Sequence, residues 1–206
     1  MIKQIFPTTI YETYFENYQD IKQEMVDKII PLIKSNDDNK HQLLINSFST
    51  ANTVRDVHKK IDISVITDFI NFHVDKYWKE IGFTSFVKPY ILHLWVNKIP
   101  MGGNLASHNH NPNIMAGVFY ISAKPEMGNL LLENPMELLL GRMPWENQEQ
   151  KYLTFDHEID VCDGKLVLFP GWLKHRTKFN LIDENRIVIG INFGCAGPNL
   201  VFNETL

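Results

Sequence analysis

Three histidines and one arginine carry the chemistry open to this chain. His108 and His110 stand two apart in Ser107-His108-Asn109-His110-Asn111-Pro112, and His175 follows 65 residues after His110. In an extended segment the side chains at i and i+2 share a face. His108 and His110 would then project side by side, as two ligands of one metal must, with His175 as the third. The alternative is a pair of surface histidines in a loop. Arg186 lies eleven residues beyond His175, at the start of the strand-like run Arg186 to Phe193. An unpaired buried guanidinium is costly, and a carboxylate held by two prongs suits it best. No acidic residue alternates with it on a recognisable strand. Its partner is therefore either an anionic ligand or an Asp or Glu from elsewhere in the fold.

The elements that must position these residues change character near Pro89. Residues 1 to 90 read as mostly helical. Ile21, Met25, Ile29 and Ile33 recur every four residues within Asp20 to Lys34, one side of a helix that Pro31 should end or bend. Ser35 to Asn39 is a polar loop. A second helix fits Ser64 to Lys79, stopped by Gly82, with His73 as a packing residue. Beyond Pro89 the period becomes two. Tyr90 to Lys98 has an apolar face, Leu92, Leu94 and Val96, and a mixed face, His93, Trp95 and Asn97. That mixed face either lines a cavity or meets solvent. Pro100 to Asn104 turns the chain, and strands follow at Met115 to Ser122, Leu130 to Glu133 and Lys165 to Phe169. Asn134 to Gln150 is a long irregular connection, either a lid or an inert excursion. In Arg186 to Phe193, Ile187, Ile189, Ile191 and Phe193 share one face; Arg186, Val188, Gly190 and Asn192 share the other.

The chain has 206 residues and a net charge of -4, which fits one domain and gives no nucleic-acid footprint. Cys162 and Cys195 do not form a disulfide framework, and no apolar run reads as a signal peptide or membrane span. A cytoplasmic protein is the expectation. Short strands with Gly and Pro turns after a helical region suggest a mainly β jelly roll, with residues 91–206 as its core and a ligand cavity at one open end.

With these motifs in place, the sequence resembles the 2-oxoglutarate- and iron(II)-dependent oxygenases. Their pattern is H-x-D/E, a distal His, and an Arg or Lys about ten residues on. His108-Asn109-His110 with the run to Tyr120, then Gly164 to His175, then Arg186 to Phe193 are similar to a microbial and viral branch of that superfamily. There H-x-H-P precedes S-G-V-Y-Y, and the distal motifs read L-F-P-S-x-L-x-H and R-x-x-x-x-F-N. Ile5-Phe6-Pro7-Thr8 resembles the branch's usual start. The resemblance implies a double-stranded β-helix. It implies iron(II) held by His108, His110 and His175, and Arg186 on the distal carboxylate of 2-oxoglutarate. Asn97, placed near a co-substrate tyrosine of prolyl-hydroxylase relatives, and Asn192, closing the last motif, are further co-substrate candidates. The implied reaction consumes O2, decarboxylates 2-oxoglutarate to succinate and oxidises a C–H bond of a small or peptidyl substrate.

Two departures stand out. His110 occupies the place of the family's acidic ligand, so it is either a third ligand or a pocket residue. Val188 stands where many relatives carry the serine of Arg-x-Ser, so the carboxylate grip is either weaker or borrowed from another strand. A cupin-like three-histidine dioxygenase without 2-oxoglutarate and a non-catalytic jelly-roll module are the competing classes. Trp95, Trp145 and Trp172 suggest an aromatic rim to the pocket.

Overall fold

The computed structural model describes residues 7–33, 41–136, 154–197 and 200–201. The polar loop at 35–39, the start at Ile5-Phe6, most of the 134–150 connection and Trp145 lie outside these. In chain order the elements are β1 (Tyr11–Tyr14), α1 (Gln19–Ile29), β2 (Leu44–Ile45), β3 (Phe48–Ser49), α2 (Ser64–Glu80), β4 (Lys88–Ile99) and β5 (Asn104–Leu105). Then come β6 (Met115–Ser122), β7 (Leu130–Glu133), β8 (Asp156–Ile159), β9 (Lys165–Pro170), β10 (His175–Thr177), β11 (Arg186–Gly197) and β12 (Leu200–Val201).

The first ninety residues hold both α-helices, but they are not only helical. β1 and β3 form the two ends of the major sheet, whose order is β1-β9-β6-β11-β4-β3, with β12 against β11. α1 gives way at Ile30 to a 3-10 turn through Pro31, because proline cannot continue the α-helical ladder. α2 ends at Gly82, which takes the positive φ (86°) of a helix stop. His73 is a packing residue, tilted at 58° against Phe69 and sharing a 2.8 Å hydrogen bond with Tyr11 Oη.

The two faces of the major sheet follow the alternation in the sequence. Leu94, Val96, Phe119, Ile121, Ile187, Ile189, Ile191 and Phe193 pack with Met25, Ile66, Ile70 and Val74 of the helices. The opposite face meets a smaller sheet, β10-β7-β8. There Tyr120, Val167, Phe169 and Val188 pack with Leu130, Leu132 and Ile159. Two sheets face to face with helices against the outside of one make a double-stranded β-helix. A third pairing joins β2 to β5, and Leu44 and Leu105 from it line the cavity described below. No helix among the described residues is long and apolar enough to cross a membrane.

Candidate active site

His108 and His175 form an isolated antiparallel bridge, exchanging N–H to O hydrogen bonds of 3.0 and 2.9 Å. His110 is fixed by its neighbours: its N–H donates to Gly171 O, while its carbonyl accepts from both Asn113 N and Asn113 Nδ2, each at 2.8 Å. Gly171 is required for this approach, since a Cβ there would lie 1.9 Å from Asn113 O.

These backbone ties bring the three rings together. One ligand nitrogen from each of His108, His110 and His175 lies within 4.8 Å of the others. His110 Nε2 and His175 Nε2 are 3.3 Å apart. Two nitrogens each about 2.1 Å from one ion at right angles would be about 3 Å apart. The tautomers also fit. His108 Nδ1 is 2.9 Å from Ala106 O and His175 Nδ1 is 3.1 Å from Leu173 O. A carbonyl only accepts, so both rings carry the proton on Nδ1 and offer the Nε2 lone pair.

Burial holds all three rings neutral, the form that binds metal. It pushes His110 down to about 3, with nearby His108 adding to the shift, and pulls His108 and His175 below the ordinary range. Asn192 stands beside His110 and opposes its shift. The Asn192 side chain is 4% exposed, and its Oδ1 has no well-formed hydrogen bond.

The triad opens into a cavity of about 370 Å³ whose walls include Trp95, Asn97, Thr177, Arg186 and Asn192. Arg186 is 1% exposed and has no carboxylate partner among the described residues. Its Nη1 donates to Met127 O at 2.7 Å and to Gly128 O, and its Nη2 donates to Thr177 Oγ1 at 2.8 Å. A guanidinium has five N–H groups. Nε–H, buried and unpartnered, and one Nη2–H are left. Desolvation lowers the arginine to about 10, and it remains charged at neutral pH. Asn97 is 6% exposed with its Oδ1 also unpartnered. The cavity thus holds buried polar atoms that the protein itself leaves unsatisfied, a state that calls for a polar ligand.

The mixed face of β4 divides. Trp95 and Asn97 line the cavity, while His93 lies off it and pairs with Asp56 at 3.0 Å. Trp172 does not join the rim and is 46% exposed. His41, Ser49, Tyr120 and Thr177 line the same cavity without having been singled out in the sequence. Of these, Thr177 repeats the two-residue spacing of the H-x-H motif, counted from His175.

The comparisons agree with this geometry. A family model described as "Putative 2OG-Fe(II) oxygenase" matches residues 93–192, the stretch that holds every one of these candidate ligands. Just under half of the chain is thus similar to the 2OG-Fe(II) oxygenases. HygX of Streptomyces hygroscopicus, with nickel and 2-oxoglutarate bound, superposes with a TM-score of 0.58 at 10% identity, over 93% of this chain and 84% of that one. AviO1 of Streptomyces viridochromogenes gives 0.57 at 12% identity, over 93% and 91%. A Trichoplax adhaerens prolyl hydroxylase in complex with a hypoxia inducible factor peptide gives 0.57 at 14%, over 89% and 82%. At such identities the likeness is one of fold. No curated protein matches the sequence. The enzymes of that family are oxidoreductases that use iron(II), O2 and 2-oxoglutarate, and the matched stretch is the one that carries the histidine triad and Arg186.

Proposed function

We propose that residues 1–206 form one catalytic domain in which His108, His110 and His175 hold iron(II) and Arg186 holds the distal carboxylate of 2-oxoglutarate. The observation that carries this reading is Arg186: a buried, charged guanidinium that faces the triad's cavity with two N–H groups unused and no acidic partner among the described residues. A cupin-like enzyme without a dicarboxylate co-substrate would have no use for it. When bound, iron(II) and 2-oxoglutarate supply the oxidation of a substrate C–H bond by O2, with release of succinate and carbon dioxide.

The chain's own residues do the rest. The backbone carbonyls of Ala106 and Leu173 keep the Nδ1 protons of His108 and His175 and turn their Nε2 atoms inward. Asn192 does the same for His110: its lone Oδ1 accepts the Nδ1 proton once Nε2 is needed by the ion. Asn97 contributes its amide nitrogen to the co-substrate, and its carbonyl oxygen remains for a donor on the substrate. The substrate is a small molecule or a peptide side chain. The net charge of -4 supports no role on nucleic acid, and the absence of a disulfide framework supports a cytoplasmic setting. Anaerobic titration of the iron(II) protein with 2-oxoglutarate tests the reading. Two-oxygen chelation produces a metal-to-ligand charge-transfer band, and its absence at millimolar 2-oxoglutarate overturns the proposal in favour of the cupin-like class.

A further inference from the structure

Arg186 is not alone at the far end of the cavity. Thr177 Oγ1 accepts two hydrogen bonds, from Arg186 Nη2 at 2.8 Å and from Leu105 N at 3.0 Å. A hydroxyl has two acceptor lone pairs and one proton. Both lone pairs are therefore occupied, and the direction of the proton is fixed by exclusion. Among the described residues no acceptor takes it, and Thr177 faces the cavity. Val188, which stands where a serine would be expected two residues after the arginine, has no hydroxyl to give.

On the proposed reading of the site, we infer that Thr177 is a co-substrate-binding residue, donating its hydroxyl proton to the distal carboxylate of 2-oxoglutarate beside the Arg186 fork. Three donors then converge on one anion: Nε–H and Nη2–H of Arg186, and Oγ1–H of Thr177. The missing serine of β11 is replaced from β10, a strand of the other sheet. The placement follows from the sequence of β10. Thr177 is two residues beyond His175, so both side chains leave the strand on the same face. One three-residue strand thus presents a candidate metal ligand at one end and a carboxylate donor at the other. Leu105 N–H and Arg186 hold the hydroxyl from behind, so it is oriented before any ligand arrives.

The test compares two 2-oxo acids on the anaerobic iron(II) protein. 2-Oxoglutarate has the distal carboxylate; 2-oxopentanoate keeps the chelating end and carries a methyl group instead. Thr177→Val should weaken 2-oxoglutarate binding about tenfold or more, the scale of a lost hydrogen bond to a charged group. It should leave the 2-oxopentanoate constant within about twofold, and Thr177→Ser should restore 2-oxoglutarate binding. If Thr177→Val weakens both acids equally, the threonine is merely structural and the inference is overturned. Unchanged 2-oxoglutarate binding in Thr177→Val, or no rescue by serine, overturns it as well. A wild type without any charge-transfer band is a different failure, because it removes the proposed function itself.

Discussion

His108 and His175 exchange both of their backbone hydrogen bonds, and their rings stand 4.2 Å apart between centroids. In a hydrogen-bonded antiparallel pair the two side chains leave on the same face. The segment entering β6 and the first residue of β10 are thereby locked in register. Two candidate ligands far apart in sequence are thus positioned by the backbone alone.

This pre-set pair makes the first expectation sharp. The protein should bind one equivalent of iron(II), and His108→Ala or His175→Ala should abolish binding. Metal analysis of anaerobically reconstituted protein checks it. Full occupancy in both variants would remove these residues from the site.

His110 is held differently, through Gly171 and Asn192, and its variants report on that. His110→Ala should lose most iron affinity, whereas His110→Asp should keep the metal, since a carboxylate there restores the superfamily's usual charge. Asn192→Leu should weaken iron binding about 10- to 100-fold, the usual cost of losing a partner behind a ligand. Wild-type affinity in His110→Ala would make the residue a pocket wall only.

Variants of Arg186 should separate co-substrate binding from metal binding. Truncating one partner of a buried charge pair costs roughly 2–5 kcal/mol, or about 30-fold to several-thousand-fold in affinity. Arg186→Ala should weaken 2-oxoglutarate binding by that range and leave iron binding nearly intact. Arg186→Lys should recover part of the loss, because it keeps the charge without the fork. An unchanged titration in Arg186→Ala would place the anchor elsewhere.

The neutral histidine cluster gives the metal-free protein a pH dependence of definite sign. Burial depresses the folded pKa of His110 to about 3, with His108 and His175 also lowered. The unfolded chain, with ordinary histidines near about 6.5, takes up protons first as pH falls. The cluster's stabilisation is complete above about pH 6.5 and is lost progressively towards about pH 3. Thermal melts of metal-free protein should show Tm falling between about pH 7 and about pH 5, and His110→Gln should flatten the slope. Identical slopes would mean that the fold does not lower the pKa of His110.

Much of this was legible because the central strands are long and two-faced. β6 and β11 show their alternation plainly: Ile187, Ile189 and Ile191 turn to the helices, while Arg186 and Asn192 turn to the cavity. The short strands were not legible. β1, β3 and β5 span two to four residues and exist only through partners distant in sequence. His93 shared a face with Trp95 and Asn97, yet Asp56, brought close by the fold, captures it instead. Thr177 escaped notice because a single threonine carries no motif. The role proposed for it rests on the lone pairs of its oxygen, both taken by neighbours that only the fold supplies.

The close packing of β4 on β11 has an optical consequence. Trp95 lies across Gly190, where any Cβ would meet the indole ring at 2.5 Å, and its ring centroid is 5.9 Å from that of His110. The glycine thus seats a fluorophore against the candidate metal centre, and an open-shell ion such as iron(II) bound there should quench its emission. Comparing wild type with Trp95→Phe would isolate that signal from the other three tryptophans. The chain then carries its own gauge of occupancy, readable without any added dye.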